Sequence, residues 1–366
     1  IYANCEYKKE SKFLMKALIL AGGTGGHVYP ALSVAKELKR NEFSISWIGK
    51  KKSLESNLSK KEGFNFISLN AKGFKGKNIF GKIISLIYLD INVFKSIFII
   101  KKVKPDIVFS TGGYVSLAPA LASYLLSIPL FIHEQNSVPG LVNKILNRLS
   151  KKTFEAFPGS FDKSSKIHTV GNPVRPEIIK NPEDKPTIKD HFNILILGGS
   201  QGSEQLNEII IKSFKGKTVS SNWRIIHQIG HCDQAPIIEL YSAQSFKYEV
   251  VPYIENIAKA YHECDLVIGR SGAMTISEIC SSAKPSILLP LPWAADNHQY
   301  FNAKFLQAKK ASILLESSLT SADKLFTLLN DLEKDHNARH AMSLNAFSSF
   351  QMASDSRIVE IINESI

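Results

Sequence analysis

Three short stretches of this 366-residue chain carry side chains suited to chemistry. Gly22-Gly23-Thr24-Gly25-Gly26-His27 sets four glycines in five positions beside an imidazole. Bare backbone lets another molecule approach closely, and His27, at the loop's exit, could face it. His133-Glu134-Gln135-Asn136 places four hydrogen-bonding residues at the end of an apolar run. That is unusual for a core, and in open α/β sheets ligands bind beyond the carboxyl ends of the strands. A loop with capping residues is the plain alternative. Gly269-Arg270-Ser271-Gly272 leads into Ala273-Met274-Thr275-Ile276-Ser277-Glu278. Hydroxyls and free N–H groups there suit phosphate, and the Glu278 carboxylate can accept from two adjacent hydroxyls, which a ribose offers. A helix-dipole role is the alternative for Glu278. Arg175 and Arg270 are candidates to neutralise a diphosphate.

The elements that must position these groups follow from patterning. Ala17 to Ala21 is apolar, too short for a helix and bounded by glycine, which predicts a buried strand. From Pro30 the spacing of Ala31, Leu32, Val34, Ala35 and Leu38 is helical, with proline where a first turn tolerates it. Strand, glycine loop and helix together set an anion on a helix N-terminus. The loop fits neither the dinucleotide fingerprint nor the Walker A pattern. Its echo at Asn193 to Gly202, again an apolar strand and then Gly-Gly-Ser-Gln-Gly before helical spacing, predicts two similar α/β domains with a cleft between them. A further glycine loop, Thr111 to Ser116, precedes a helical stretch from Leu117 to Leu126. Other strands are expected at Ser44–Ile48, Pro105–Ser110, Ile128–Ile132, Thr153–Phe157, His168–Val170, Arg224–Gln228, Glu249–Val251, Leu266–Ile268 and Ser286–Leu291. Residues 176–191, with three prolines and mixed charge, read as a linker, and 320–366 as helical.

Charge is uneven. Residues 1–172 hold 26 Lys and Arg against 11 Asp and Glu, and 173–366 hold 19 against 22, giving +15 and −3 of the total +12. The first half therefore suits an acidic partner: nucleic acid, anionic lipid or a phosphorylated substrate. Nucleic acid is excluded as the reading because no recognition motif accompanies the charge. Cys5, Cys232, Cys264 and Cys280 form no C-x-x-C pair, which favours a reduced compartment and argues against zinc. Asp-x-Asp and H-E-x-x-H are both absent, so no metal pair is expected. Residues 72–104 carry eight lysines against Asp90, among apolar residues from Ile79 to Ile100. Lys82, Asp90 and Lys95 interrupt that run too often for a transmembrane helix. It reads as an amphipathic helix, and also as an apolar, basic surface for an anionic membrane. Residues 1–15 are expected to be a disordered extension, with Met15 a natural start.

Seven motifs now stand in one order: GGTGGH at 22–27, GGYVS at 112–116, HEQN at 133–136, GNPVR at 171–175, GGSQG at 198–202, RSGAMTISE at 270–278 and DNHQYFNA at 296–303. In order and approximate spacing they resemble the MurG family of bacterial N-acetylglucosaminyltransferases, over essentially residues 16–360. The resemblance implies an α/β chain of GT-B architecture, two Rossmann-like domains with parallel sheets facing across a cleft. The acceptor and membrane domain would span 16–174 together with a C-terminal helix of about 350–366, and the donor domain 175–349. The implied reaction moves GlcNAc from UDP-GlcNAc to the 4-hydroxyl of the muramyl sugar of lipid I, with inversion, giving lipid II and UDP. It needs no cofactor and no metal. The implied setting is the cytoplasmic face of the inner membrane, held peripherally, with room for partners among cell-wall assembly proteins. Carried onto this chain, Ser200, Ile254, Ala273, Met274, Thr275, Ile276, Ser277, Glu278 and Gln299 would bind the donor. Thr24, Gly25, Gly26, Asn136 and Arg175 would complete that site, and Gly23, Gly113 and Tyr114 would face the acceptor diphosphate. His27 is the candidate base, since an unperturbed imidazole titrates near neutrality, and Glu134 is the runner-up. A 2-epimerase or glycolipid glucosyltransferase of the same fold, and a non-catalytic membrane scaffold, are the rival readings.

Overall fold

The computed structural model describes residues 15–69, 79–181, 190–199 and 202–366. The expected extension, the lysines at 72, 75 and 77, the middle of the expected linker and Ser200 lie outside the described residues.

The first unit contains β1 (Lys16–Leu20), α1 (Gly25–Arg40), β2 (Ser44–Gly49), α2 (Leu54–Lys61), β3 (Asn65–Ser68), α3 (Ile79–Val103), β4 (Ile107–Ser110), α4 (Tyr114–Leu125), β5 (Leu130–Glu134), α5 (Leu141–Leu149), β6 (Lys152–Glu155) and β7 (Ile167–Thr169). The second begins with β8 (Phe192–Leu197), α6 (Glu204–Phe214), β9 (Trp223–Gln228), α7 (Ala235–Ser242), β10 (Lys247–Val251) and α8 (Ile257–Glu263). It continues with β11 (Leu266–Gly269), α9 (Ala273–Ser281), β12 (Ser286–Leu288), α10 (His298–Ala308) and β13 (Ser312–Leu314), then α11 (Ala322–Lys334), α12 (His336–Ser348) and α13 (Ser354–Ser365).

Both sheets pair in parallel throughout, in the orders β3-β2-β1-β4-β5-β6-β7 and β10-β9-β8-β11-β12-β13. Each order reverses direction beside its first strand. The reversal lies between β1 and β4 in one sheet and between β8 and β11 in the other. At such a point neighbouring loops part and open a crevice at the carboxyl ends of the strands. The glycines that follow β1, β4, β8 and β11 are those at 22–26, 112–113, 198–199 and 269–272.

Several boundaries differ from the sequence reading. Helix α1 starts at Gly25, inside the glycine loop, so His27 sits on its first turn and Pro30 lies within it. Helix α4 starts at Tyr114 and not at Leu117, because Gly113 with φ 85° can turn the chain directly into it. Strands β3 and β13, four and three residues long, and helix α2 were not anticipated. The region 320–366 is three helices. The last, α13, packs Ile358, Val359, Ile361 and Ile362 into the core of the first unit, together with Val34, Ala35 and Leu38 of α1.

Candidate functional site

The first switch point brings two glycine loops into contact. A Cβ on Gly113 would lie 3.1 Å from the carbonyl oxygen of Gly22 and 3.7 Å from Cδ2 of His27. Gly23, Gly112 and Gly113 all take positive φ, at 106°, 87° and 85°. Only glycine adopts that backbone cheaply, and without side chains the loops let a ligand come close to the backbone at the starts of α1 and α4. Thr24 is the N-cap residue of α1, exposed and without a capping hydrogen bond from its own side chain. Tyr114 opens α4 and is partly exposed. Two helix N-termini converging on one gap favour an anion there.

His27 lies at this gap, half-buried. Its Nδ1 is 2.8 Å from the Thr111 carbonyl oxygen and 2.9 Å from Gln135 Oε1. Both neighbours are acceptors, so the hydrogen of the neutral ring belongs on Nδ1, and Nε2 keeps a lone pair. No described residue bonds Nε2. That is the arrangement of a group able to take a proton.

The HEQN motif is placed otherwise than the sequence suggested. His133, Glu134 and Gln135 are almost wholly buried, and only Asn136 is partly open. Glu134 Oε1 accepts from Asn136 N at 3.0 Å and Nδ2 at 3.2 Å, and Oε2 accepts from Gly140 N at 3.1 Å and Asn143 Nδ2 at 2.9 Å. Four donors occupy its lone pairs, so it organises the loop from 135 to 140 and the first turn of α5, and presents no free acceptor. Burial pushes the His133 imidazole down to about 4, keeping it neutral.

At the second switch point α9 starts at Ala273, capped by Gly272. Met274, Thr275 and Glu278 are partly open, whereas Ile276 and Ser277 are turned into the core. The latter two therefore offer no free side chain to a ligand. Ser277 Oγ instead donates to Ala273 O and accepts from Asn172 Nδ2 at 3.0 Å. Glu278 pairs with Arg175 at 3.0 Å and accepts from the Tyr261 hydroxyl at 3.1 Å. Burial pushes its pKa above the usual carboxylate value, against the lowering pull of Arg175. The Arg175 guanidinium also lies 5.6 Å over the Tyr29 ring, linking the Glu278 carboxylate to α1. Ile254 sits in the turn before α8, half-buried.

Arg270 is buried without a carboxylate among its partners. It donates to Ser203 Oγ at 2.6 and 2.9 Å, Gln205 Oε1 at 3.1 Å, Leu289 O at 2.8 Å and Ser317 Oγ at 2.6 Å. Burial lowers it to about 10. Beside it an open cavity of about 690 Å³ is lined by Ser203, Gln205, His231, Leu291 and Trp293, among others. Gln299 Oε1 accepts from Leu291 N at 2.9 Å. The two units meet at Asn302, fully buried. Its Oδ1 accepts from Ser137 N at 2.9 Å and Ser137 Oγ at 2.8 Å, and its Nδ2 donates to Ser271 O at 3.1 Å and Asn136 Oδ1 at 3.3 Å. Sequence reasoning gave no role to Asn302, Tyr261, Tyr29 or Gln135. A run of polar residues at the end of a buried strand was the one signal that pointed to the last. Among the described residues no group of three or more His, Cys, Asp or Glu could hold a metal.

Two parallel sheets whose switch-point loops face one cleft define a GT-B glycosyltransferase architecture. The model of the glycosyltransferase family 28 N-terminal domain matches residues 17–155 and that of its C-terminal domain matches 193–358. The UDP-N-acetylglucosamine--N-acetylmuramyl-(pentapeptide) pyrophosphoryl-undecaprenol N-acetylglucosamine transferase of Coxiella burnetii is 38% identical over 335 residues, 90% of this chain and 93% of that protein. The enzyme of the same name from Pseudomonas putida is 36% identical over 352 residues, 95% and 97% of the two chains. The crystal structure of Acinetobacter baumannii MurG superposes with a TM-score of 0.78 at 32% identity, covering 96% of this chain and 99% of that one. The chain belongs to the MurG family, within glycosyltransferase family 28.

Proposed function

We propose that this enzyme transfers N-acetylglucosamine from UDP-GlcNAc to the 4-hydroxyl of the muramyl sugar of an undecaprenyl-diphosphate-linked muramyl pentapeptide, lipid I, giving lipid II. The relatives' names supply the two substrates. The observation that carries the chemistry is the free Nε2 of His27 beside two converging helix N-termini. In a single displacement the acceptor O4 bonds to the anomeric carbon, the bond from that carbon to the β-phosphate oxygen breaks, and the O4 proton passes to His27 Nε2. The configuration at the anomeric carbon inverts, and UDP departs with the bonding electrons. The free N–H groups at the start of α9 and the cation of Arg175 would stabilise its diphosphate. Glu278 would accept from the ribose hydroxyls, with Met274, Thr275, Ile254 and Gln299 along the donor. The loops at 22–26 and 112–114 would hold the acceptor diphosphate. The acceptor domain would span 16–174 with α13, and the donor domain 175–349.

The same reading places the enzyme peripherally on the cytoplasmic face of the inner membrane. No described helix is long and apolar enough to cross a bilayer. Phe94 and Phe98 of α3 are 66% and 73% exposed. Tyr124 and Leu125 of α4 and Leu141 and Ile145 of α5 are exposed on neighbouring helices, amid Lys95, Lys101, Lys102 and Lys144. An apolar face ringed by lysine suits an anionic lipid surface.

The test is UDP release from UDP-GlcNAc with and without a soluble lipid I analogue, with His27→Ala alongside. Acceptor-dependent release, falling by roughly 10²-fold or more in kcat for the variant, is expected. Release without acceptor would turn the reading toward epimerase or hydrolase chemistry. A variant raising only the acceptor KM would make His27 a phosphate ligand.

A further inference from the structure

We propose that Gln135 and His133 are positioning residues, forming a one-directional hydrogen-bond relay that holds His27 in its Nδ1–H tautomer with the Nε2 lone pair toward the glycine loops. Its geometry is independent of the function proposed above, and only its effect on kcat rests on His27 acting as the base.

The direction of the relay is forced from its far end. The Gly171 carbonyl oxygen, a pure acceptor, lies 2.9 Å from His133 Nε2, so that nitrogen must carry hydrogen. His133 is fully buried and neutral, with a single ring proton, so its Nδ1 is left as an acceptor. Gln135 Nε2 meets that Nδ1 at 3.0 Å and the His133 carbonyl oxygen at 2.9 Å. Both amide hydrogens are thereby used, and the amide oxygen must point the other way. It points at His27 Nδ1, 2.9 Å off. A flipped Gln135 would set oxygen against two acceptors in a buried site, leaving its own amide oxygen and His133 Nδ1 unpaired, while the His133 carbonyl keeps its bond from Asn143 Nδ2. That outcome costs far more than any single bond gains.

Thr111 O gives His27 Nδ1 one acceptor and Gln135 gives a second, so the shared hydrogen pins the ring plane as well as the tautomer. An amide in this place has a consequence that a carboxylate would not. It orients the imidazole without adding negative charge beside two loops suited to an anion. The relay is also tied to the chain joining the units. Asn172, next to Gly171, donates to the Gln135 carbonyl and to Ser277 Oγ at 3.0 Å each. The orientation of the ring is thus anchored on the segment that carries the first unit toward the second.

The experiment is nitrogen-15 NMR of histidine-labelled protein near pH 7.5, with His27 and His133 signals assigned through His27→Asn and His133→Asn. In the unsubstituted protein His27 is expected as Nδ1–H and His133 as Nε2–H, the latter unchanged down to about pH 5. In Gln135→Met, which keeps bulk but makes no hydrogen bond, His27 should populate both tautomers. Its kcat should fall roughly tenfold or more while the donor KM stays within about twofold. Finding His133 as Nδ1–H in the unsubstituted protein overturns the relay, and needs no variant to fold. So does a Gln135→Met protein in which His27 stays wholly Nδ1–H and His133 wholly Nε2–H. A tautomer change with kcat unaltered would uphold the relay and remove the base role from His27.

Discussion

At the scale of residues, Glu134 and His27 show why chemical type alone misassigns a role. Both were candidates for the base, and the structure separates them by what remains free. Glu134 gives its four lone-pair positions to the 135–140 loop and the first turn of α5, whereas His27 spends one nitrogen on orientation and keeps the other. A structural carboxylate predicts a distinct signature for Glu134→Gln. The new amide would turn a donor toward N–H groups of Asn136, Gly140 or Asn143, so a buried charge-assisted acceptor becomes a clash of donors. Folding stability should drop by about 2–3 kcal/mol, read as a lower denaturant midpoint. Were Glu134 the base, kcat would vanish with the midpoint unmoved.

At the scale of elements, the helices divide between those that build the core and those that leave a face open. Helix α13 is remote in sequence from α1 yet puts Ile358 and Ile362, both fully buried, into the first core. Ile362→Ala should therefore cost about 2–4 kcal/mol and lower the melting of the first unit, seen by calorimetry, although the helix follows the second unit in the chain. Helix α3 does the opposite with Phe94 and Phe98. Changing both to Ser should abolish sedimentation with anionic vesicles while turnover on a water-soluble acceptor analogue is retained; undiminished sedimentation would defeat the membrane reading. The long, patterned elements were legible in the sequence, because an apolar strand running into glycine has few other structures open to it. The four switch-point loops were legible for the same reason. Strands β3 and β13 were not, since three or four residues give no period to read. Nor was the burial of HEQN. A polar run at the end of a strand looks the same whether it faces a ligand or a neighbouring loop, and only tertiary packing decides.

At the scale of the whole molecule, each unit encloses one neutral histidine, and the two make the fold sensitive to acid. His133 sits in the first sheet. His227 sits on β9 in the second, where its Nε2–H donates to Asn207 Oδ1 at 3.2 Å and its Nδ1 accepts from the Tyr241 hydroxyl at 3.1 Å. Burial holds them down at about 4 and about 3. The unfolded chain takes up these protons below about pH 6.5, whereas the folded chain refuses them until the depressed values are reached. Stability is thus full above pH 6.5 and lost as pH falls. The slope is about 1.4 kcal/mol per pH unit for each ring, continuing to about 4 for His133 and about 3 for His227. Between pH 6.5 and 5 each unit should lose about 2 kcal/mol by this route. His227→Gln keeps a donor for Asn207 and an acceptor for Tyr241 but has no proton to gain, so the melting of the second unit should lose about 1.4 kcal/mol per pH unit of its acid dependence while that of the first keeps its own. Calorimetric scans at pH 5, 6 and 7 would show it. Equal slopes in the variant and the parent would mean that the folded His227 ring takes up its proton as readily as the unfolded chain does, so that burial does not hold it neutral.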